Sequence, residues 1–131
     1  MDIANYTSSY VQWLAASDLR GDTVHWVLED KNTHHDSAIQ GVMTLREVLK
    51  EPCPYAPSQR AQGHAIGYLT NCYITPTCRN MGLGTKLLKA LIADARSRAM
   101  ELIFVWPSDQ AMTFYRQTGF NGDHAPLQLS L

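Results

Sequence analysis

The apolar and polar positions of the chain repeat with two different periods, and together these predict a mixed α/β (α+β) fold. Apolar residues spaced by three or four positions predict helices, whereas alternation or a short continuous apolar run predicts strands. On these criteria the chain predicts three helices and five strands, in the order helix, three strands, helix, strand, helix and strand.

The first helix and the first strand are predicted from their apolar faces. Ser8 or Ser9 can cap the helix, and Gly21 ends it. Its apolar stripe consists of Tyr10, Val11, Trp13 and Leu14. Residues 23–30 alternate as a half-buried strand does. The apolar face of this strand carries Val24, Trp26 and Leu28, and the opposite face carries His25 and Glu29.

A polar turn and a second strand follow the first strand. Residues 31–36 are predicted as the turn and residues 38–45 as the strand, so an antiparallel hairpin is the simplest connection. Residues 46–63 contain Pro52, Pro54 and Pro57 and predict a long loop. The first few of these residues could instead extend the strand or add a helical turn.

The second half of the chain predicts a strand, helix and strand unit. Residues 64–75 predict the central strand, residues 85–99 a helix, and residues 101–106 a continuous apolar strand. Because a helix connects them, the two strands should be parallel, with a right-handed crossover. The remaining predicted elements are a helix capped by Ser108 and ended by Gly119, and a strand at residues 127–131.

The predicted sheet is antiparallel at its N-terminal strands, continues as a parallel pair, and has helices on its flanks. A length of 131 residues predicts a single domain over residues 1–131. Ligands of open α/β sheets bind beyond the carboxyl ends of strands where the connectivity changes. We therefore expect the functional site just after residue 75.

A loop with two glycines occupies that position. Gly82 and Gly84 allow a ligand to approach the backbone, and the first N–H groups of a helix have no intrahelical acceptor. The helix dipole adds roughly half a positive charge at this end. Arg79, Lys86 and Lys89 add full charges. The segment thus predicts a site for a phosphate or pyrophosphate.

Two common phosphate-binding loops do not fit this segment. A Walker loop requires a Lys directly after its last glycine, whereas Thr85 follows Gly84. A dinucleotide fingerprint requires a third glycine three residues after the second, where Leu87 stands. The pattern that remains is RxxGxG over residues 79–84, preceded by a strand and Pro76.

This pattern resembles the acyl-CoA loop of the GCN5-related N-acetyltransferases (GNAT). The stretch AMTFYRQTGF is similar to the family's second signature, a helix that carries FY and closes on GF, and its matching residues are Ala111, Phe114, Tyr115, Gly119 and Phe120. The resemblance covers residues 63–120. It implies a GNAT-like fold, acetyl-CoA as co-substrate, no metal, and direct acetyl transfer to a primary amine without a covalent enzyme intermediate.

The resemblance also implies roles for individual residues. Tyr115 aligns with a family tyrosine near the thioester sulfur and would protonate the leaving thiolate, although it could instead be only a core aromatic. A backbone N–H near Ile74 would stabilise the oxyanion. The pantetheine arm would insert where the central strand and the strand at 101–106 splay apart. The predicted cofactor-binding residues are Cys72, Ile74, Arg79, Asn80, Met81, Gly82, Leu83, Gly84, Thr85 and Ser108.

The chain departs from the family pattern at the general base. Many relatives carry a Glu on the central strand, whereas residues 67–75 contain no carboxylate and no histidine. The alternatives are His64, His25, Glu29, Asp123 and His124. The sequence favours none of them over the others.

The N-terminal part of the chain departs from the family pattern as well. Relatives begin with one further strand and one further helix, and this chain resembles them from the second helix onward. We therefore expect residues 23–30 to lie at a sheet edge, where unpaired backbone groups favour a homodimer. The acceptor, a small amine or a protein amine, stays open. So do two alternatives to an enzyme: a module that binds acyl-CoA without turnover, and a structural subunit.

Composition limits the binding partners and the cellular location that we expect for the protein. Eleven Lys and Arg against twelve Asp and Glu give a net charge of −1, which favours neither nucleic acid nor an anionic membrane surface. The apolar runs are shorter than the roughly twenty residues of a membrane span. Cys53, Cys72 and Cys78 form no CxxC pair, which argues against a zinc site. Since the N-terminus carries no secretory signal, we expect a cytoplasmic protein.

Overall fold

A mixed β-sheet forms the centre of the computed structural model, which describes residues 3–30, 39–50 and 65–131. In these ranges the sheet has five strands in the order β1-β2-β3-β4-β5. Both β1–β2 and β2–β3 are antiparallel, β3–β4 is parallel, and β4–β5 is antiparallel. This confirms the predicted change of direction. The strands are β1 (Thr23–Glu29), β2 (Ile39–Leu49), β3 (Ala65–Ile74), β4 (Leu102–Val105) and β5 (Leu127–Ser130).

Three α-helices accompany the described part of the sheet: α1 (Ile3–Arg20), α2 (Leu83–Ser97) and α3 (Met112–Gln117). Short 3-10 turns at Pro76–Cys78 and Asp109–Ala111 precede α2 and α3. None of these helices is both long and apolar enough to cross a membrane.

The predicted helix starts need correction. Helix α1 begins at Ile3, so Ser8 and Ser9 lie inside it and do not cap it. Helix α2 begins at Leu83, two residues before the predicted start, because the apolar stripe marks only the buried part of a helix. Ser108 occupies the N-cap position of the turn before α3, but its side chain makes no capping hydrogen bond.

The end of β2 decides whether the residues after 45 form a loop, a helical turn or an extension of the strand. Strand β2 continues to Leu49, so residues 46–49 extend the strand and form no helical turn. This extension is held to the start of β1 by a bond from the Glu47 N–H to the Asp22 carbonyl, 2.7 Å. The predicted turn at 31–36, most of the predicted loop at 46–63, and His64 lie outside the described residues.

The core lies between α2 and one face of the sheet. Five residues of the predicted α2 stripe are buried: Leu87, Leu88, Leu91, Ile92 and Ala95. Ala99, which was predicted to belong to this stripe, follows the helix in a left-handed conformation (φ 56°). The sheet contributes to the same core Met43, Leu45, Leu69, Ile103, Val105, Leu127 and Leu129. Helix α2 is thereby fixed across the sheet with its N-terminus near the end of β3.

The parallel pair separates towards its carboxyl ends. Pairing between β3 and β4 runs from Gly67↔Ile103 to Leu69↔Val105, whereas β3 continues to Ile74. The register of β3 against β2 also shifts between Val42 and Thr44, which leaves one extra residue on β3. Asn71 lies in this bulge with a φ of 52°. Beyond Leu69 and Val105 the two segments no longer pair, which is compatible with the splay that the family resemblance implies.

Candidate active site

The glycine loop places a helix N-terminus at the mouth of this gap. Gly82 is the N-cap of α2 and has a φ of 74°, a left-handed conformation that glycine adopts without strain. The Lys86 N–H donates to the Gly82 carbonyl at 3.1 Å. The N–H groups of Leu83, Gly84 and Thr85 precede this first helical bond and have no intrahelical acceptor. They form the positive end of a fifteen-residue helix.

Arg79 ties the loop to the end of β3. Its Nε donates to the carbonyl of Ile74 at 2.9 Å, and its guanidinium lies 5.5 Å from the centre of the Tyr73 ring. No carboxylate of the described residues forms an ion pair with Arg79. Its positive charge therefore adds to the helix dipole without being neutralised there.

A cavity of about 480 Å³ opens in front of this helix terminus. Nine of the ten predicted cofactor-binding residues line it: Cys72, Ile74, Arg79, Asn80, Gly82, Leu83, Gly84, Thr85 and Ser108. Met81 does not line it and is 68% exposed. The other lining residues are Tyr73, Cys78, Gln110, Ala111 and Phe114. We call this the larger cavity.

Gly84 keeps part of the larger cavity open. A Cβ built on Gly84 would lie 3.5 Å from the Phe114 ring and 3.6 Å from Ile74. Both distances are ordinary van der Waals contacts, so the fold itself tolerates a small side chain here. Because Phe114 and Ile74 line the larger cavity, that side chain would occupy the space in which a ligand meets the helix N-terminus.

A second, smaller cavity of about 170 Å³ lies where β3 and β4 separate. It shares Cys72, Ser108 and Ala111 with the larger cavity, so the two meet at the end of the parallel pair. Its other lining residues are Tyr68, Leu69, Thr70, Asn71, Val105, Trp106, Pro107 and Tyr115. We call this the smaller cavity.

Tyr115 lines the smaller cavity and contacts Cys72, one of the residues that both cavities share. Only 3% of its surface is exposed, and its ring makes edge contacts with Phe114 and Phe120. Burial raises the pKa of its hydroxyl above the usual value, and the neighbouring Cys72 thiol raises it further. The phenol is therefore protonated throughout the neutral range.

Cys72 presents its thiol to Tyr115. The residue as a whole is exposed, but desolvation of the sulfur raises the pKa of the thiol, only partly offset by its contact with the Tyr115 hydroxyl. A thiol with a raised pKa carries little thiolate at neutral pH and is a weak nucleophile.

The candidate bases do not reach either cavity. Among the described residues that line the two cavities there is no His, Asp or Glu. Glu29, Asp123 and His124 are exposed elsewhere on the chain, and His64 lies outside the described residues. His25 is held by two hydrogen bonds on another part of the sheet.

Those two bonds belong to a polar chain that the sequence did not indicate. The Asp18 Oδ1 lies 3.0 Å from His25 Nε2, and His25 Nδ1 lies 2.9 Å from Thr44 Oγ1. Asn71 Nδ2 completes the chain 3.5 Å from Thr44 Oγ1. The four residues come from α1, β1, β2 and β3, and no local pattern connects them. The signal available in the sequence was Asn71, a polar residue in a largely apolar strand. Asn is a residue type that tolerates a left-handed conformation.

Comparison with known proteins gives the family. The model of the acetyltransferase (GNAT) family matches residues 4–120. A glucosamine 6-phosphate N-acetyltransferase from Trypanosoma brucei brucei is 28% identical over 69 residues, which cover 53% of this chain and 47% of that protein. The match thus spans about half the length of this curated relative.

Solved structures share the fold. A GCN5-related N-acetyltransferase from Ralstonia eutropha JMP134 has a TM-score of 0.71 at 22% identity, covering 91% of this chain and 72% of that one. A predicted acetyltransferase from Clostridium acetobutylicum, solved with acetyl-CoA, has a TM-score of 0.68 at 24% identity, covering 100% and 77% respectively. The fold agrees with the family match over residues 4–120, and the chain belongs to the GNAT acetyltransferase family.

Proposed function

We propose that the protein is an N-acetyltransferase that moves the acetyl group of acetyl-CoA to a primary amine by direct attack. The observation that carries this proposal is the meeting of the two cavities at Cys72, Ser108 and Ala111, beside Tyr115. One cavity opens on a helix N-terminus suited to phosphate, and Tyr115 lines the other. Two substrates can therefore meet beside one protonated phenol.

The larger cavity fits the co-substrate of the family. The N–H groups of Leu83, Gly84 and Thr85 would hold the pyrophosphate, assisted by the unpaired charge of Arg79. The unpaired edge of β3 at Cys72 and Ile74 would hold the pantetheine arm through its backbone. Acetyl-CoA supplies an activated thioester when it is bound. The space that Gly84 leaves free is the structural feature that this fit requires.

Tyr115 is proposed as the general acid. The attacking amine expels a thiolate, which needs a proton, and the Tyr115 hydroxyl, whose usual pKa near 10 is raised further by burial, is protonated at neutral pH. The same raised pKa makes Tyr115 unsuited to act as a base. The proton of the attacking amine would leave through water, since no His or carboxylate of the described residues lines either cavity.

The raised pKa of Cys72 supports direct transfer. An acetyl-cysteine intermediate would require a thiolate, and desolvation raises the pKa of the Cys72 thiol, which disfavours that form. Intact-protein mass spectrometry with saturating acetyl-CoA and no amine should therefore detect no covalent acetyl adduct. A stoichiometric adduct on Cys72 that amines then remove would replace direct attack by a two-step mechanism.

An assay for thiol release, run with a panel of primary amines, tests the proposed function. We expect amine-dependent release of CoA, together with saturable thermal stabilisation by acetyl-CoA. Stabilisation without amine-dependent release would support the alternative of a module that binds acyl-CoA without turnover. Equal stabilisation by ATP or NADH would contradict the assignment of the larger cavity.

A further inference from the structure

We propose that the polar chain of Asp18, His25, Thr44 and Asn71 positions the bulge of β3, and that the Thr44 hydroxyl thereby sets the affinity for the pantetheine arm of acyl-CoA. The arm would be held by the backbone of residues 72–74, which directly follow Asn71. The inference rests on the proposed N-acetyltransferase function and adds a positioning residue for its co-substrate.

The bulge decides on which face of the sheet the last residues of β3 lie. Directly paired residues of neighbouring strands lie on the same face. Before the bulge, Leu69 pairs with Leu45 on the core face. Strict alternation from Leu69 would put Tyr73 on the core face and Ile74 on the opposite face. Ile74 instead pairs with Gly41, four positions before Leu45 on β2, and packs against the core. The extra residue has therefore exchanged the two faces.

This exchange shapes the segment that would hold the arm. On the core face Ile74 reaches the start of α2, where a Cβ built on Gly84 would lie 3.6 Å from its side chain. The Ile74 carbonyl accepts from Arg79 Nε at 2.9 Å. Cys72, which shares the bulge, contacts the Tyr115 hydroxyl. Without the bulge the Ile74 side chain would point away from α2, so the bulge is required for this end of the larger cavity.

Thr44 reaches the bulge from the neighbouring strand. It pairs with Thr70, the residue before Asn71, where the register shifts. Its Oγ1 lies 3.5 Å from Asn71 Nδ2, the longest contact of the polar chain. Asn71 has a φ of 52°, a conformation that few residues with a side chain tolerate. Thr44 lines neither cavity, so any effect of its hydroxyl on a ligand has to pass through the bulge.

The other members of the polar chain fix the direction of the Thr44 hydroxyl. A carboxylate only accepts, so His25 Nε2 carries the proton towards Asp18, and in the neutral imidazole Nδ1 is an acceptor. Thr44 then donates to His25 Nδ1 at 2.9 Å, and the lone pairs of its Oγ1 accept from the Asn71 carboxamide. Thr44 is 0% exposed, and a buried hydroxyl without partners would be costly. The Asn71 side chain is thereby anchored to the middle of the sheet.

Titration calorimetry with CoA, and separately with its nucleotide part, tests the inference without turnover. The nucleotide part, adenosine 3′-phosphate 5′-diphosphate, lacks the arm and would bind only in the larger cavity. Thr44→Val keeps the shape of the side chain and removes the hydroxyl. It should weaken CoA binding by about three- to tenfold, the effect of one hydrogen bond, and leave binding of the nucleotide part unchanged. Thr44→Ser retains a hydroxyl and should restore CoA binding.

Thr23→Val is the matched control. Thr23 lies on the same face of the sheet as Thr44, its Oγ1 donates to Asp22 at 3.0 Å, and it lines neither cavity. This variant should leave both affinities unchanged. An unaltered CoA affinity in Thr44→Val, an equal loss for CoA and its nucleotide part, or an equal loss in Thr23→Val would each overturn the positioning role.

A double-mutant cycle tests the route through Asn71. Asn71→Gly keeps the left-handed backbone and removes the carboxamide. In this background Thr44→Val should cause no further loss of CoA affinity, because Thr44 acts through Asn71. Additive losses would overturn that route. If the expected binding pattern is found but no amine causes release of CoA from acetyl-CoA, the proposed function fails while the positioning role stands. If the unaltered chain binds no CoA, both fail.

Discussion

The two cavities differ in how the chain supplies their residues. Most of the lining of the larger cavity comes from residues 72–85, a single strand, loop and helix start. The smaller cavity is lined by the ends of β3 and β4 and by α3, and the polar chain behind it draws on α1, β1 and β2. A site formed by the backbone of one segment can be predicted from the local order of residues. A site formed by side chains from several elements cannot.

The largest expected effect tests the junction between the cavities. Tyr115→Phe keeps the ring that packs between Phe114 and Phe120 and removes only the donor. We expect kcat to fall by about a hundred- to ten-thousand-fold, or about 3 to 5 kcal/mol, with little change in the KM for acetyl-CoA.

Tyr10→Phe is the control for Tyr115→Phe, because it removes a phenolic hydroxyl that lines neither cavity. A loss of kcat below about threefold would assign Tyr115 to the core alone. A parallel loss of acetyl-CoA affinity would place its ring in the wall of the larger cavity rather than in the proton transfer.

The next effect tests the larger cavity alone. Acetyl-CoA at a hundred times its dissociation constant should stabilise the fold by about 2.7 kcal/mol. Gly84→Val should abolish this stabilisation because the side chain enters the ligand space between Phe114 and Ile74. Gly84→Ala should weaken it.

Ala93→Val adds a β-branched side chain to an exposed position of the same helix and should leave the thermal shift unchanged. A normal thermal shift in Gly84→Val would contradict phosphate binding at the N-terminus of α2.

The pH dependence of the reaction tests the desolvation of the smaller cavity. Burial raises the pKa of Tyr115 above its usual value near 10, and burial also raises the pKa of the facing Cys72 thiol. Tyr115 therefore stays more than half protonated as the pH rises from 7 to about 10. The acceptor amine loses its proton over the same range, so the rate at fixed amine concentration should rise without a falling limb. A falling limb with an apparent pKa of about 10 or lower would show that Tyr115 is solvated or is not the acid.

The smallest effect concerns assembly rather than either cavity. We propose a homodimer, because β1 ends the strand order of the described sheet and Val27 on this strand is 45% exposed. Light scattering at micromolar concentration should give about twice the chain mass, and Val27→Lys should lower it without changing acetyl-CoA binding. A monomeric mass for the unaltered chain would contradict the proposal.

The larger cavity was largely predictable, and the reasons are local. Two glycines, a preceding strand and a following apolar stripe predicted a helix N-terminus after β3, and the structure places nine of the ten predicted residues around one cavity. Met81 does not line this cavity, because the direction of a loop side chain depends on the backbone conformation, which the sequence does not give. The predicted capping role of Ser8 or Ser9 was wrong, because the sequence alone does not distinguish a serine inside a helix from a serine at its start.

The polar chain was not predictable for a different reason. Asp18, His25, Thr44 and Asn71 are separated by 7, 19 and 27 positions along the chain. The sequence predicts His25 as a polar residue on a strand and as one of five candidate bases. Its two partners depend on the register of β1 against β2 and on the bulge in β3. A change of one residue in either register would separate them.

The sequence by itself determined the elements, the change from antiparallel to parallel strands, and the helix N-terminus that follows the glycine loop before α2. These follow from hydrophobic period and from backbone groups that are close in the chain. Tertiary structure alone decided where the pairing of β3 and β4 ends, the bulge that contains Asn71, and the burial of Tyr115. These depend on strand register and desolvation, which arise only when distant segments pack together.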